Sequence, residues 1–165
     1  MLMMAKFRYL FYIVIFALLS ACSSGNKNET VKETSKSIIP TQKYALLIVE
    51  SKSCMYCAQL KKDLKTEESL KKALEGIDLY TLLYESYTLV RTNIGGKLVE
   101  LPEKDLARKL NATSFPNLIF YDKRGNIILQ IPGYLPPKEF ACVINYVKNE
   151  KFKEIKLQDY MKKCV

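Results

Sequence analysis

Two periodicities, one of strands and one of helices, alternate along this chain of 165 residues. Tyr44-Ala45-Leu46-Leu47-Ile48-Val49 is an unbroken apolar run of strand length, the pattern of a strand buried on both faces. A polar bend from Glu50 to Ser53 follows. Cys57, Leu60 and Leu64 then recur at three- and four-residue steps, which predicts a helix. Ser53 reads as its N-cap, setting Cys54 in the first turn. The helical pattern weakens over Thr66 to Ser69 and resumes over Leu70 to Leu74. Ile77 to Tyr87 reads as a second strand, and Gly95-Gly96, between Thr92 and Val99, as the turn of a short hairpin. Pro102 opens a helix that continues through Leu106, Ala107 and Leu110. After a connector from Asn111 to Pro116, Asn117 to Tyr121 and Ile127 to Ile131 predict antiparallel strands joined by a turn at Asp122 to Asn126. Phe140, Val143, Ile144 and Val147 mark one face of a helix starting near Pro136 or Pro137, and Leu157 to Lys163 predicts a last short helix. Strands alternating with helices in this order predict an α/β fold with a central mixed β-sheet flanked by helices.

The N-terminus follows a different pattern. Lys6 and Arg8 precede an almost wholly apolar run from Tyr9 to Leu19. About a dozen apolar residues suit a secretory leader and are too few for a bilayer span, which needs about 20. Leu19-Ser20-Ala21-Cys22 resembles a bacterial lipoprotein lipobox, which implies that Cys22 becomes the acylated first residue of the mature chain. From Ser23 to about Ser37 the chain is Ser, Asn, Lys, Glu and Thr with one glycine, Gly25, and with Val31 as its sole aliphatic residue. Such a composition cannot bury enough surface to offset ordering entropy, and it reads as a flexible tether. The expected organisation is a signal peptide at 1–21, a tether at 22–39 and a folded domain at 40–165. Its expected location is the bacterial cell envelope, held to the membrane by the lipid and facing the periplasm or the outer surface.

Composition narrows the chemistry. Hydrophobic residues at 48% and charged residues at 26% describe an ordinary globular chain. No His or Trp is present, which excludes a Ser-His-Asp triad, a Cys-His pair and His-ligated metal or haem. The net charge of +9 falls to about +7 once Lys6 and Arg8 leave with the leader. That balance suits an anionic membrane surface or acidic partners. Nucleic acid is a poor fit, because no basic run or RNA-binding signature occurs. Of five cysteines, Cys22 is assigned to the lipid, leaving Cys54, Cys57, Cys142 and Cys164. An even number suits disulfide chemistry in an oxidising compartment.

Cys54-Met55-Tyr56-Cys57 lies between the buried strand and the helix. Two intervening residues put both sulfurs within bonding reach across one helical turn. The helix N-terminus stabilises a thiolate there, and Lys52 adds a second cationic group. A thiolate attacks disulfides, so spacing and context describe a dithiol built for exchange. A purely structural disulfide is the plain alternative. A zinc half-site would need two further ligands, and Cys142 and Cys164 lie far apart in sequence with no His to help. Haem attachment would need His after Cys57, where Ala58 stands. No metal or other cofactor is expected.

The element order, the Cys54–Cys57 motif, and Phe115-Pro116 just before a strand resemble the thioredoxin fold. Ile131-Pro132-Gly133-Tyr134, followed by Phe140 and Tyr146, resembles its periplasmic SoxW-type branch. The resemblance covers roughly residues 40–163. It implies that Cys54 attacks, that Cys57 resolves, and that a cis-proline at Pro116 leaves the backbone of Phe115 free to pair with a client chain. It further implies protein clients bearing cysteines, a membrane thiol-redox partner of the DsbD/CcdA type, and a monomer. Departures from the family are Met55-Tyr56 between the cysteines, closer to DsbC-type isomerases, and Phe115 in place of a small or β-branched residue. Ile48 stands where thioredoxins bury an Asp. Glu50 is the nearby carboxylate able to substitute, or else a solvated loop residue, and Lys52 is a second tuning candidate. No dimerisation domain precedes the motif, which argues against a DsbC-like clamp. Cys142 and Cys164 are either a bridge pinning the C-terminal helix, or a small buried residue and a free terminal thiol. Rival functions are a non-catalytic thioredoxin-like scaffold with a permanent disulfide, and a metal chaperone.

Overall fold

The computed structural model describes residues 35–164, so Cys22, the leader and most of the expected tether lie outside the described residues. After a short β1 (Lys36–Ser37), β2 (Tyr44–Glu50) leads into α1 (Met55–Thr66) and α2 (Glu68–Leu74). β3 (Asp78–Leu83), a hairpin of β4 (Leu89–Ile94) and β5 (Lys97–Pro102), and α3 (Glu103–Lys109) come next. The chain closes with β6 (Asn117–Asp122), β7 (Ile127–Pro132), α4 (Pro137–Lys148), a 3-10 turn and α5 (Leu157–Cys164). The central sheet has the order β3-β2-β6-β7, with β2 parallel to β3 and antiparallel to β6. It is mixed and flanked by helices, as the sequence pattern predicts.

Both faces of β2 are buried, and its alternate residues enter two separate cores. Tyr44, Leu46 and Ile48 point into one cluster with Leu60 of α1, Leu70 of α2 and Phe140, Val143 and Ile144 of α4. Ala45, Leu47 and Val49 point into the other, with Leu82, Val90 and Leu106. β6 divides the same way, Leu118 and Phe120 on one side and Ile119 and Tyr121 on the other. An unbroken apolar run is the expected code for such a strand, since the period of two then shows no polar face.

The pattern did not announce a second sheet, of order β1-β4-β5, over that second core. The segment after β1 is held against this core, because Ile38 is buried and Tyr121 Oη donates to the Ile38 carbonyl. Glu103 fastens this layer to the edge of the central sheet. Buried at the start of α3, it accepts the Leu83 N–H at 2.9 Å and pairs with Lys36 Nζ at 3.4 Å. At the far end, Gly96 N–H donates to the Arg124 carbonyl and Asn93 Nδ2 to that of Lys123. Gly125 permits this approach, since a Cβ there would lie 1.8 Å from Asn93 O.

Two differences from the sequence reading bear on the residues around the cysteines. β3 stops at Leu83 rather than Tyr87, because Ser86 N–H turns back to the Leu83 carbonyl. The first helix begins at Met55 with Cys54, not Ser53, as its N-cap. The weakening at 66–69 is a real break, with Glu67 extended between α1 and α2. Lys148 Nζ of α4 caps the end of α2 through the Ala73 carbonyl at 2.8 Å, placing a cation at the negative end of that helix.

At the C-terminus, Cys142 of α4 and Cys164 of α5 form a disulfide. α5 has no fully buried residue, and besides the bond it rests on the core through half-buried Leu157, Tyr160 and Met161, with the Tyr160 and Tyr146 ring centroids 5.2 Å apart. Replacing both cysteines by Ala should therefore cost about 3 kcal/mol by the loop-closure relation and lower Tm by roughly 10 °C. Thermal unfolding followed by circular dichroism checks this. A second expectation concerns acid. The hydrogen bonds of Lys153, Lys43 and Tyr44 hold the Glu150 carboxyl down at about 2, against an ordinary 4.5. A lowered carboxylate contributes stability above its unfolded value that is lost as pH falls through its folded one. Glu150→Gln should accordingly be less stable than the parent near neutrality, the gap closing between pH 4.5 and 2. Urea titrations across that range measure it.

Candidate active site

β2 runs out of sheet partners at Glu50, and the chain bends through Ser51 to Ser53 before α1. Cys54 is the capping residue, extended at φ −96° and ψ 103°. Its Sγ accepts the Cys57 N–H at 3.0 Å, so an otherwise unpaired donor of the first turn points at sulfur. No acidic residue occupies that turn to oppose the helix field. Cys54 and Cys57 are joined in a disulfide with a Cα–Cα separation of 5.2 Å. Cys57 is 3% exposed and packs inward, whereas Cys54 is half-buried at the surface. Met55 and Tyr56 between them stand out at 75% and 56% exposure.

A shallow cleft behind the pair is lined by both cysteines with Glu50, Lys52, Lys61 and Leu83. Glu50 is the last residue of β2, half-buried, and its carboxylate pairs with Lys61 Nζ at 2.7 Å. Ile48, one pleat before Glu50, is sealed in the apolar core. Glu50 is thus the carboxylate of this cleft. Lys52 is exposed, and its N–H donates to Glu85 Oε2 at 3.3 Å. Glu85 also accepts from Ser51 Oγ, a bond that lowers its carboxyl pKa and braces the loop before Cys54.

Pro116 is buried and follows a cis peptide from Phe115. Since Val49 pairs with Asn117, the register carries Pro116 to the end of β2 at which the cysteine loop departs. Phe115 is half-buried and packs on Tyr84, with ring centroids 4.9 Å apart. The Pro116 carbonyl accepts the Gly133 N–H at 2.8 Å, tying this turn to the loop after β7. Topology thus brings Cys54, Cys57, Glu50, Lys52, Phe115 and Pro116 to one end of the sheet. Among the described residues, no group of three or more Cys, Asp and Glu side chains converges as a metal site.

Residues 31–148 match the family described as thioredoxin-like domain. The chain belongs to that family. A solved thioredoxin-fold protein from Helicobacter pylori is similar at 28% identity and a TM-score of 0.69, over 78% of this chain and 88% of that one. A thioredoxin from Thermus thermophilus is similar at 19% identity and a TM-score of 0.49, over 64% of this chain and 74% of that one. The corresponding figures for a DsbH oxidoreductase are 14%, 0.43, 70% and 75%. No curated protein matches the sequence. A thioredoxin-like domain with a CxxC pair at a helix start supports a thiol redox function.

Sequence reading missed several side chains around this thioredoxin-like site. Glu85 and Tyr84 fell inside the overlong second strand, where only the early turn reveals their facing the cysteine loop. Asp63 lies off the Cys57, Leu60 and Leu64 positions of α1, yet it is 5% exposed and accepts the Tyr134 hydroxyl at 2.7 Å. Tyr134 in turn stacks on Tyr56, with centroids 5.9 Å apart and ring planes 23° from parallel. The only hint in the sequence is a Tyr directly after Pro132-Gly133, a place where a chain turns.

Proposed function

We propose that this protein is a thiol:disulfide oxidoreductase of the bacterial cell envelope, anchored by lipid at Cys22 and acting on exported proteins that carry cysteines. One observation carries the reading: Cys54 caps α1 with its sulfur on a backbone N–H, while Cys57 lies shielded behind it. The cap favours thiolate at Cys54 alone, which gives the two cysteines unequal roles.

In the reducing direction, the Cys54 thiolate attacks one sulfur of a client disulfide and expels the other as a thiolate. The resulting mixed disulfide is broken by Cys57, which loses its proton, bonds to Cys54 and releases the second client sulfur. Two electrons pass to the client, and the motif ends as the disulfide present in the structure. Glu50, in the same cleft as Cys57, is our candidate to take that proton, and Lys52 to favour the thiolate. The backbone of Phe115, beside Pro116, is the candidate client contact, with exposed Met55 and Tyr56 adding apolar surface. The same steps run backwards as oxidation, and the potential of the couple against its partner sets the direction. A membrane thiol-redox protein of the DsbD/CcdA type is the proposed partner that resets the motif. The lipobox-like Leu19-Ser20-Ala21-Cys22 supports the anchor, and the tail Ile131 to Tyr134 supports a SoxW-type affiliation.

Removing the resolving thiol should strand the intermediate. Cys57→Ala expressed in a bacterial envelope should accumulate reductant-sensitive covalent adducts, at least several-fold more than Cys54→Ala, on non-reducing gels. Equal and negligible trapping by both variants would favour the scaffold with a permanent disulfide.

A further inference from the structure

Asp63 presents a puzzle of its own. It is a carboxylate buried on α1, six residues beyond Cys57, and burial without partners would be costly. Both oxygens are in fact occupied, Oδ1 by Gln59 Nε2 and Oδ2 by Tyr134 Oη, each at 2.7 Å. The hydrogen bond to Asp63 raises the Tyr134 phenol to about 12, so it remains a donor throughout the physiological range. The pinned ring then lies against Tyr56, a residue that is otherwise half in solvent. One residue earlier, Gly133 N–H holds the Pro116 carbonyl. A single loop therefore touches the dipeptide between the cysteines, the body of α1 and the turn at Pro116.

We infer that Asp63 and Tyr134 are positioning residues that hold Tyr56 in the conformation of the closed motif and so bias the Cys54–Cys57 couple toward its disulfide. This rests on the oxidoreductase reading and adds a determinant of its poise. The physical reason is linkage. Reduction frees the two sulfurs from each other and relaxes the segment between them. A contact that fixes Met55–Tyr56 in the bonded form must then be loosened or kept at some cost. Aromatic pairs contribute stabilisation beyond their buried area. A contact that weakens on reduction shifts the equilibrium by the part it loses. A merely structural role, stapling the loop to α1, would act equally on both redox forms and leave the equilibrium alone.

The test is redox equilibrium of the full chain in glutathione buffers. In the balanced reaction, two glutathione thiols and the Cys54–Cys57 disulfide give one glutathione disulfide and the Cys54–Cys57 dithiol. Acid quenching, alkylation and peptide mass mapping read the 54–57 peptide, with the Cys142–Cys164 bond as internal reference. Tyr56→Ala changes a half-exposed residue and Tyr134→Phe keeps the ring, so both variants should fold. Each should be reduced more readily, the equilibrium constant rising about three- to tenfold, where tenfold is about 30 mV for a two-electron couple. The double variant should shift little further than Tyr56→Ala, since the Tyr134–Asp63 bond acts only through the ring contact that Tyr56→Ala already removes, and Asp63→Asn, which can still accept from the phenol, should shift less than Asp63→Ala. A reducible parent whose variants all share its equilibrium constant, or shifts that simply add, would overturn the inference alone. A parent that glutathione cannot reduce would overturn the oxidoreductase reading and this inference with it.

Discussion

Everything at the candidate site depends on where β2 ends. The strand is apolar on both faces because it lies between two cores, and it terminates at Glu50, where sheet partners give out. The chain must then turn, and the next helix must begin with N–H groups that have no backbone acceptor. A cysteine at that cap converts an unavoidable cost of helix termination into a local field on sulfur. Cys57, one turn on, falls on the buried side of the same helix. The inequality between the two thiols is thus a consequence of strand length and helix phase.

Much of this was legible in the sequence, for identifiable reasons. Tyr44 to Val49 cannot be anything but a two-sided strand, and Cys57, Leu60 and Leu64 fix the phase of α1. The turn residues around Gly125 and the stripe from Phe140 to Val147 place the last strands and α4. What escaped depends on contacts between distant segments. A helix start moved by one residue, because a sulfur took the capping role that Ser53 suits on propensity. The second sheet escaped because β1 is two residues long and is held by Lys36, Glu103 and Ile38, none of which shows a period. Asp63 and Glu85 escaped because a carboxylate that meets a hydroxyl from a remote segment reads as a surface residue from its own neighbours.

The two disulfides sit in contrasting surroundings. Cys54–Cys57 closes a short loop at a helix N-terminus beside a cleft that carries Glu50, Lys52 and Lys61. Cys142–Cys164 bridges 22 positions and ties a helix with no buried residue to the core. Chain entropy makes the second bond a stabiliser, while the helix field and the polar cleft make the first a candidate for exchange. The pins around the first pair, Glu85 on the loop before it and Tyr134 on the residue within it, hold a site whose apolar dipeptide remains open to solvent.

The central claim is that the α1 N-terminus makes Cys54 a thiolate at ordinary pH. The most direct measurement is the pH dependence of alkylation of Cys54 in the reduced protein, with modified sites assigned by mass spectrometry. The account predicts a half-maximal rate at least one unit below the ordinary thiol value of about 8.5, with Cys57 reacting far more slowly. A Cys54 that titrates at 8.5 or above, or a Cys57 that reacts as fast, would contradict it.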